Sequence, residues 1–286
     1  MVSINPLKQM KTMKKYIFMA VAGMLALSSC SSDDNEQTTQ NAPRQMTFTA
    51  GFGDSGVTRA SIAYDSGNKK GHVTFDNPDY ISILSAKNTN TQFTTTDGGA
   101  TATFSGTATD DDEFYAVYPY HTSGLTLNSS TGVISGVVIP SDQSAAASSA
   151  CGWDPAAPIA YATTTGSSLQ FQNACALLKI TNTCGYDDAR IFVMVNEEDL
   201  AGTFDLNTTT GELTAQAGKG NYMVQAVGVK NNKTIYLAIA PGTYTDLTVD
   251  CVYDNYNDER YKAKSSVTFE AGKIYNLGET GSWDEY

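Results

Sequence analysis

Histidine is almost missing from this chain: 286 residues contain two, His72 and His121. So few imidazoles exclude His-rich metal sites and leave little room for His-based nucleophilic triads. Positive charge is scarce as well. Eighteen Lys and Arg face 30 Asp and Glu, for a net charge of −12. Phosphate recognition needs clustered cations, so nucleic acid is excluded as a partner. Charged residues make up only 17% of the chain, and no segment of the body carries a long apolar period of 3.6, which excludes a helical bundle. No G-x-S-x-G, H-E-x-x-H or phosphate-cradling Gly loop occurs, and no enzyme class is indicated. What is plentiful is Gly (24) and Tyr (16), a composition of short strands and tight turns. Apolar residues reach 41%, enough for a core, and the length predicts two domains.

The N-terminus reads as an address. Lys8, Lys11, Lys14 and Lys15 precede an apolar run from Tyr16 to Leu27, with no acidic residue before Asp33. A basic start and about a dozen apolar residues make a secretory signal, too short for a span of about 20. Met1 and Met13 are both possible starts. The run ends Leu27-Ser28-Ser29-Cys30. This resembles a bacterial lipobox, in which the Cys takes the lipid (palmitate) and becomes the first mature residue. Residues 1–29 are therefore expected to be a lipoprotein signal peptide, and residues 30–45 a flexible polar tether. Asp33-Asp34-Asn35-Glu36 resembles the surface-export signal of lipoproteins of Gram-negative anaerobes of the gut and mouth. Loss of residues 1–29 removes four basic residues and no acidic ones, leaving 14 against 30 and a net charge of −16. Such a surface repels anionic membranes, so lipid on Cys30, rather than charge, is expected to hold the chain on the outer membrane.

From Met46 onward short β-rich runs alternate with turn residues. Met46 to Phe52 alternates apolar and polar, placing Met46, Phe48, Ala50 and Phe52 on one face. Tyr80–Ala86, Phe114–Tyr118, Gly136–Ile139, Leu169–Phe171, Ala176–Ile180, Ile191–Val195, Tyr222–Val229, Thr234–Ala240, Leu247–Tyr253 and Ser266–Phe269 follow. Spacing near ten residues fits antiparallel β-sandwiches. Loop-like composition from Ser141 to Pro158 places the boundary near Gly166, with an N-terminal sandwich over 46–165 and a C-terminal one over 166–286. One internal echo stands out. Leu127-Asn-Ser-Ser-Thr-Gly132 matches Leu206-Asn-Thr-Thr-Thr-Gly211. Both predict hairpins with Gly at a positive φ, consistent with two similar domains or with convergent turn chemistry.

Four cysteines remain after Cys30: Cys151, Cys175, Cys184 and Cys251. They allow three pairings, between which sequence does not choose, and Cys175 in its apolar run reads as a buried thiol. No cofactor or metal is expected. Asp110-Asp111-Asp112-Glu113 reads as a solvated turn, and Asp254 to Glu259 lacks the Gly and Glu of a Ca²⁺ loop. With 30 acidic residues, carboxylate pairs of the glycosidase kind are unavoidable and carry no information. Trp153 either stacks on a sugar or, preferably, plugs a hydrophobic edge.

The resemblance that absorbs most of these stretches is to the fimbrillin family, type V pilus subunits of Gram-negative gut and oral anaerobes. Carrying it are Cys30, Met46–Phe52 leading to Val57-Thr-Arg59-Ala60-Ser61, Phe104-Ser-Gly106, Phe114–Tyr120, Val138–Gln143, Leu169–Asn173 with Ala176–Lys179, Ile239–Thr243 and Ala271–Leu277. The resemblance implies two transthyretin-like antiparallel β-sandwich domains in tandem. It implies a lipoprotein precursor cut after an Arg by a trypsin-like protease, which removes the first strand so that a neighbouring subunit can fill the groove by β-strand addition. Arg44 and Arg59 are the two candidates. A cut after Arg44 leaves Met46–Phe52 attached, whereas a cut at Arg59–Ala60 severs it, so Arg59 is preferred and Arg44 is the alternative. The C-terminal Glu279–Tyr286 lacks the apolar alternation of a donor strand. That favours a tip or minor subunit over a stalk subunit. Expected partners are other pilus subunits and host or bacterial surface ligands, and the expected place is the outer membrane and then the cell-surface fimbrium. The alternative is a surface lipoprotein that binds a glycan or host protein without polymerising.

Overall fold

The computed structural model describes residues 42–53, 64–65, 70–71, 74–254 and 258–285. The fold is all-β, as the composition requires. Seven strands close into a barrel. They are β1 (Arg44–Phe52), β4 (Tyr80–Leu84), β5 (Thr91–Thr95), β6 (Thr101–Ala108), β7 (Phe114–Tyr118), β10 (Ala160–Thr164) and β11 (Ser168–Asn173), in the order β1–β11–β10–β7–β4–β5–β6. A separate two-stranded hairpin pairs β2 (Tyr64–Asp65) with β3 (Lys70–Gly71).

The remaining strands form three sheets. In one, β12 (Ala176–Thr181) lies between β17 (Thr234–Ile239) and β20 (Ile274–Glu279). Another runs β16 (Met223–Val229), β13 (Ala189–Met194), β18 (Gly242–Tyr253), β19 (Asp258–Phe269), β21 (Asp284–Glu285). The third orders β15 (Leu213–Asn221), β14 (Ala201–Asn207), β9 (Val133–Ile139), β8 (Thr126–Asn128). A four-residue helix, α1 (Ala145–Ser148), sits in the loop region before β10.

Side-chain alternation explains how these strands build two cores. In β11 exposed and buried residues alternate across all six positions, which is the period of a half-buried strand. β7 is buried throughout for a different reason. Phe114, Ala116 and Tyr118 fill the barrel, whereas Tyr115 and Val117 point the other way into the second core. Tyr161 of β10 and Leu84 of β4 do the same. The wall β4–β7–β10 therefore serves both cores, and apolar side chains occupy both of its faces.

The architecture departs from the expected pair of antiparallel sandwiches in three ways. The first half is a closed barrel, because β1 bonds β6 on one side and β11 on the other. Among the described residues two strand pairs are parallel, β1–β11 and β12–β20. The third concerns the grouping of strands. The turn at residues 165–167 joins β10 to β11, two barrel neighbours, while β8 and β9 pair into a sheet with β14 and β15.

The echoed hairpins β8–β9 and β14–β15 are the halves of that sheet. Their turns lie together, Thr208 donating to the Gly132 carbonyl through its N–H (3.1 Å) and its hydroxyl (2.7 Å). Gly132 and Gly211 hold φ of 68° and 77°, the left-handed backbone such turns need. Trp153 is a plug, 1% exposed, bridged to Tyr236 with the rings 6.3 Å apart. The four described cysteines are free thiols, and burial pushes Cys175 up to about 12.

Candidate functional site

The strand whose removal the resemblance implies is β1. It is antiparallel to β6 from Arg44↔Ala108 to Gly51↔Thr101 and parallel to β11 from Thr49↔Ser168 to Phe52↔Phe171. Met46, Phe48, Ala50 and Phe52 all face the barrel interior. Phe48 and Ala50 are buried at 1% and 0% exposure, and Met46 and Phe52 are half-buried against the same core. Phe48 packs on Phe93 and Phe114 with ring centroids 5.5 and 5.2 Å apart. Phe52 meets Phe75 at 4.8 Å and Phe171 at 5.7 Å. At about 1.5–3 kcal/mol per fully buried large side chain, β1 contributes a sizeable part of the roughly 5–15 kcal/mol that holds a domain together.

The slot is not uniform along its length. Thr49 donates its N–H to Ser167 (2.8 Å) and Gly53 to Phe171 (3.1 Å), so the odd-numbered residues turn their backbone groups toward β11. Before Thr49 no β11 residue pairs with β1. There a groove of about 320 Å³ opens beside Gln45, Thr47 and Phe48, walled by Asp110, Phe114 and Gly166. Sequence periodicity finds the inward face of β1 but carries no signal for this gap, which depends on where a strand some 120 residues later begins.

Arg44 is the first residue of β1, and its guanidinium donates to Asp110 at 2.7 Å. Asp111 of the same acidic run takes Lys87 at 3.6 Å. Among the described residues no group of three or more His, Cys, Asp or Glu comes together as a metal requires. Cys30, Arg59 and Ala60 lie outside the described residues.

The C-terminal tail is docked on its own body. Thr280 is fully buried, and Trp283 is 7% exposed, its indole N–H donating to the Leu277 carbonyl at 3.3 Å. The Thr280 hydroxyl accepts from the Thr183 N–H (2.8 Å) and donates to Asn182 Oδ1 (3.2 Å). β21 then pairs with β19 through Tyr261↔Asp284. Thr280 opens a single 3-10 turn, Thr280–Ser282, and Trp283 caps it, so the two anchors lack strand periodicity and leave no alternating pattern in the sequence.

No curated protein matches the chain. Among solved structures, a candidate cell adhesion protein of Bacteroides ovatus superimposes with a TM-score of 0.50 at 16% identity, over 86% of this chain and 96% of that one. A candidate cell adhesion protein of Bacteroides uniformis gives 0.48 at 14%, over 84% and 95%. A fimbrial protein of Bacteroides ovatus gives 0.37 at 13%, over 86% and 50%. At these identities the first of them speaks for a shared fold alone. The family profile described as fimbrillin-like matches residues 35–279. With a match over that much of its length, the chain belongs to the fimbrillin-like family.

Proposed function

We propose that this chain is the precursor of a non-enzymatic pilus subunit, exported as a lipoprotein on Cys30, cut at Arg59–Ala60, and completed by a strand from a neighbouring subunit in place of β1. The observation that carries the reading is the position of β1. It is the N-terminal strand of the barrel, bonded on both sides, and it supplies Phe48 and Ala50 to the core. Its loss would expose two unpaired strand edges and an apolar slot, which together template a new strand. Arg44 suits cleavage less well, since it sits within the β1–β6 ladder and a cut there frees nothing. Family membership supports a place on the cell surface among other pilus subunits. The docked tail supports a tip or minor subunit: Thr280 and Trp283 are used in cis, so the segment is not presented to a neighbour.

A second reading, a stand-alone surface lipoprotein that binds a glycan or host protein, is favoured by one observation: with β1 in place the barrel is already closed. The test is mass spectrometry of the protein taken from the native cell surface, with Arg59→Ala beside it. The proposal expects an N-terminus at Ala60, lost in the variant together with assembly into fibres. An intact lipidated Cys30 terminus in surface fibres would overturn the cleavage step.

A further inference from the structure

A pocket far along the chain from β1 is built like a receptor for a sugar. Tyr186, Asp187, Asp188, Arg190, Tyr253 and Asp254 line a cavity of about 260 Å³. That is a little under the roughly 300–1,000 Å³ of pockets that take drug-sized ligands, and suits a single ring. Tyr186 and Tyr253 stack with centroids 4.8 Å apart and planes 27° apart, and Tyr186 remains 42% exposed. It is one of the few large apolar side chains left in solvent among the described residues.

The loop presenting Tyr186 is fixed before any ligand arrives. Asn182, fully buried, donates through Nδ2 to the Tyr186 carbonyl at 3.0 Å and to the Val229 carbonyl at 2.9 Å. The Gly185 N–H donates to Asn231 Oδ1 (3.1 Å), and the Asn231 N–H donates to Asp187 Oδ1 (3.0 Å). The Thr280 hydroxyl braces Asn182 from the tail. Asp254 holds a left-handed φ of 45°, a conformation Asp tolerates better than most residues. A surface site whose aromatic wall is already ordered avoids the entropy of ordering it on binding.

The chemistry selects the ligand. Three carboxylates accept hydrogen bonds, and one guanidinium donates them, beside the rim of an aromatic pair. Three carboxylates against one guanidinium repel an anionic group, and a cation would leave the guanidinium donor unused. A neutral pyranose uses everything present: its hydroxyls both donate and accept, and its C–H face fits the electron-rich face of a tyrosine. We propose that Tyr186, Asp188, Arg190 and Asp254 form a binding site for one neutral pyranose residue of a surface glycan. The proposal adds an adhesive role to the function proposed above and does not depend on strand removal, so it is tested on the uncut chain.

The experiment is saturation-transfer NMR on the full chain, with methyl glycosides of neutral hexoses, 6-deoxyhexoses and N-acetylhexosamines as probes. 3′-Sialyllactose and Nα-acetyl-lysine amide serve as the anionic and cationic controls. The expected result is transfer to the ring C–H protons of at least one neutral glycoside. It should disappear in Tyr186→Ala, persist in Tyr186→Phe, and weaken about tenfold in affinity in Asp188→Asn, where a charge-assisted acceptor is lost. Transfer to no neutral glycoside, transfer unchanged in Tyr186→Ala, or transfer to the lysine amide alone each overturns the proposal. Ala60-ended fibres that bind no glycoside would sink this site and leave the assembly reading standing.

Discussion

Removing one ring from the barrel tests how much of its stability β1 carries. Phe48 is 1% exposed and pairs directly across from Phe104 on β6, with Phe93 and Phe114 against its faces and edge. Phe48→Ala removes the buried ring and leaves a cavity lined by rigid aromatics, which cannot close around the loss. The expected cost is about 3–5 kcal/mol. With a urea slope near 3 kcal/mol per molar, about 4 kcal/mol lowers the unfolding midpoint by roughly 1.3 M. Two signals localise the effect. Trp153 and Trp283 both belong to the second core, whereas the barrel cluster contains no tryptophan. Far-UV circular dichroism should therefore register the change in the barrel, and tryptophan emission should follow only as far as the shared wall transmits it. Thr47→Ala, on the exposed face of the same strand, is the control and should stay within about 0.5 kcal/mol. A dichroism midpoint for Phe48→Ala within about 0.3 M of wild type, or no different from Thr47→Ala, would refute the reasoning.

Two further outcomes are expected. His121 is 8% exposed, with Nδ1 2.9 Å from the Pro119 carbonyl and Nε2 accepting from the Val138 N–H at 3.2 Å. Burial lowers its pKa. The unfolded chain thus takes up a proton near pH 6.5 before the fold does, so this contribution is intact above about 6.5 and declines as pH falls below it; urea titrations at about pH 7 and pH 5.5 should show a steeper loss for wild type than for His121→Gln. Gly211 holds φ 77°, and a Cβ there would strike the Tyr161 hydroxyl, whereas Gly124 holds φ 81° with open space around it. Both Ala variants pay about 1 kcal/mol of backbone strain, so thermal unfolding should show Gly211→Ala clearly the less stable, and equal midpoints would refute the packing argument.

Local patterns in the sequence foretold local structure well. The alternation of Met46 to Phe52 located β1 and its inward face, because a half-buried strand must alternate. Gly132 and Gly211 located their turns, since the left-handed backbone leaves few other choices. Contacts between distant segments were less legible. The β1–β11 pairing joins Phe52 to Phe171, and no residue pattern in either strand names the other. The two echoed turns fit either two similar domains or convergent turn chemistry, and they lie side by side in one sheet; a hairpin records its turn and not its neighbour. Tyr115 and Val117 alternate with Phe114, Ala116 and Tyr118 as any strand would, but a fully apolar strand does not say that its two faces belong to different cores. The sugar pocket is the extreme case. Tyr186 and Tyr253 are 67 residues apart and meet because loop residues such as Asn182 and Asn231 fold locally around the end of β18.

The asymmetric slot around β1 has a mechanical consequence. A load applied along the strand shears both ladders together, so the rungs to β6 and to β11 resist as a set and must fail almost at once. A load applied sideways at the Arg44 end meets only β6, and the rungs can open one after another, like a zipper. The occupant of this slot should therefore bear tension along its axis yet peel from its N-terminal end under far smaller forces, so that the direction of pull, more than the number of hydrogen bonds, decides whether the joint holds.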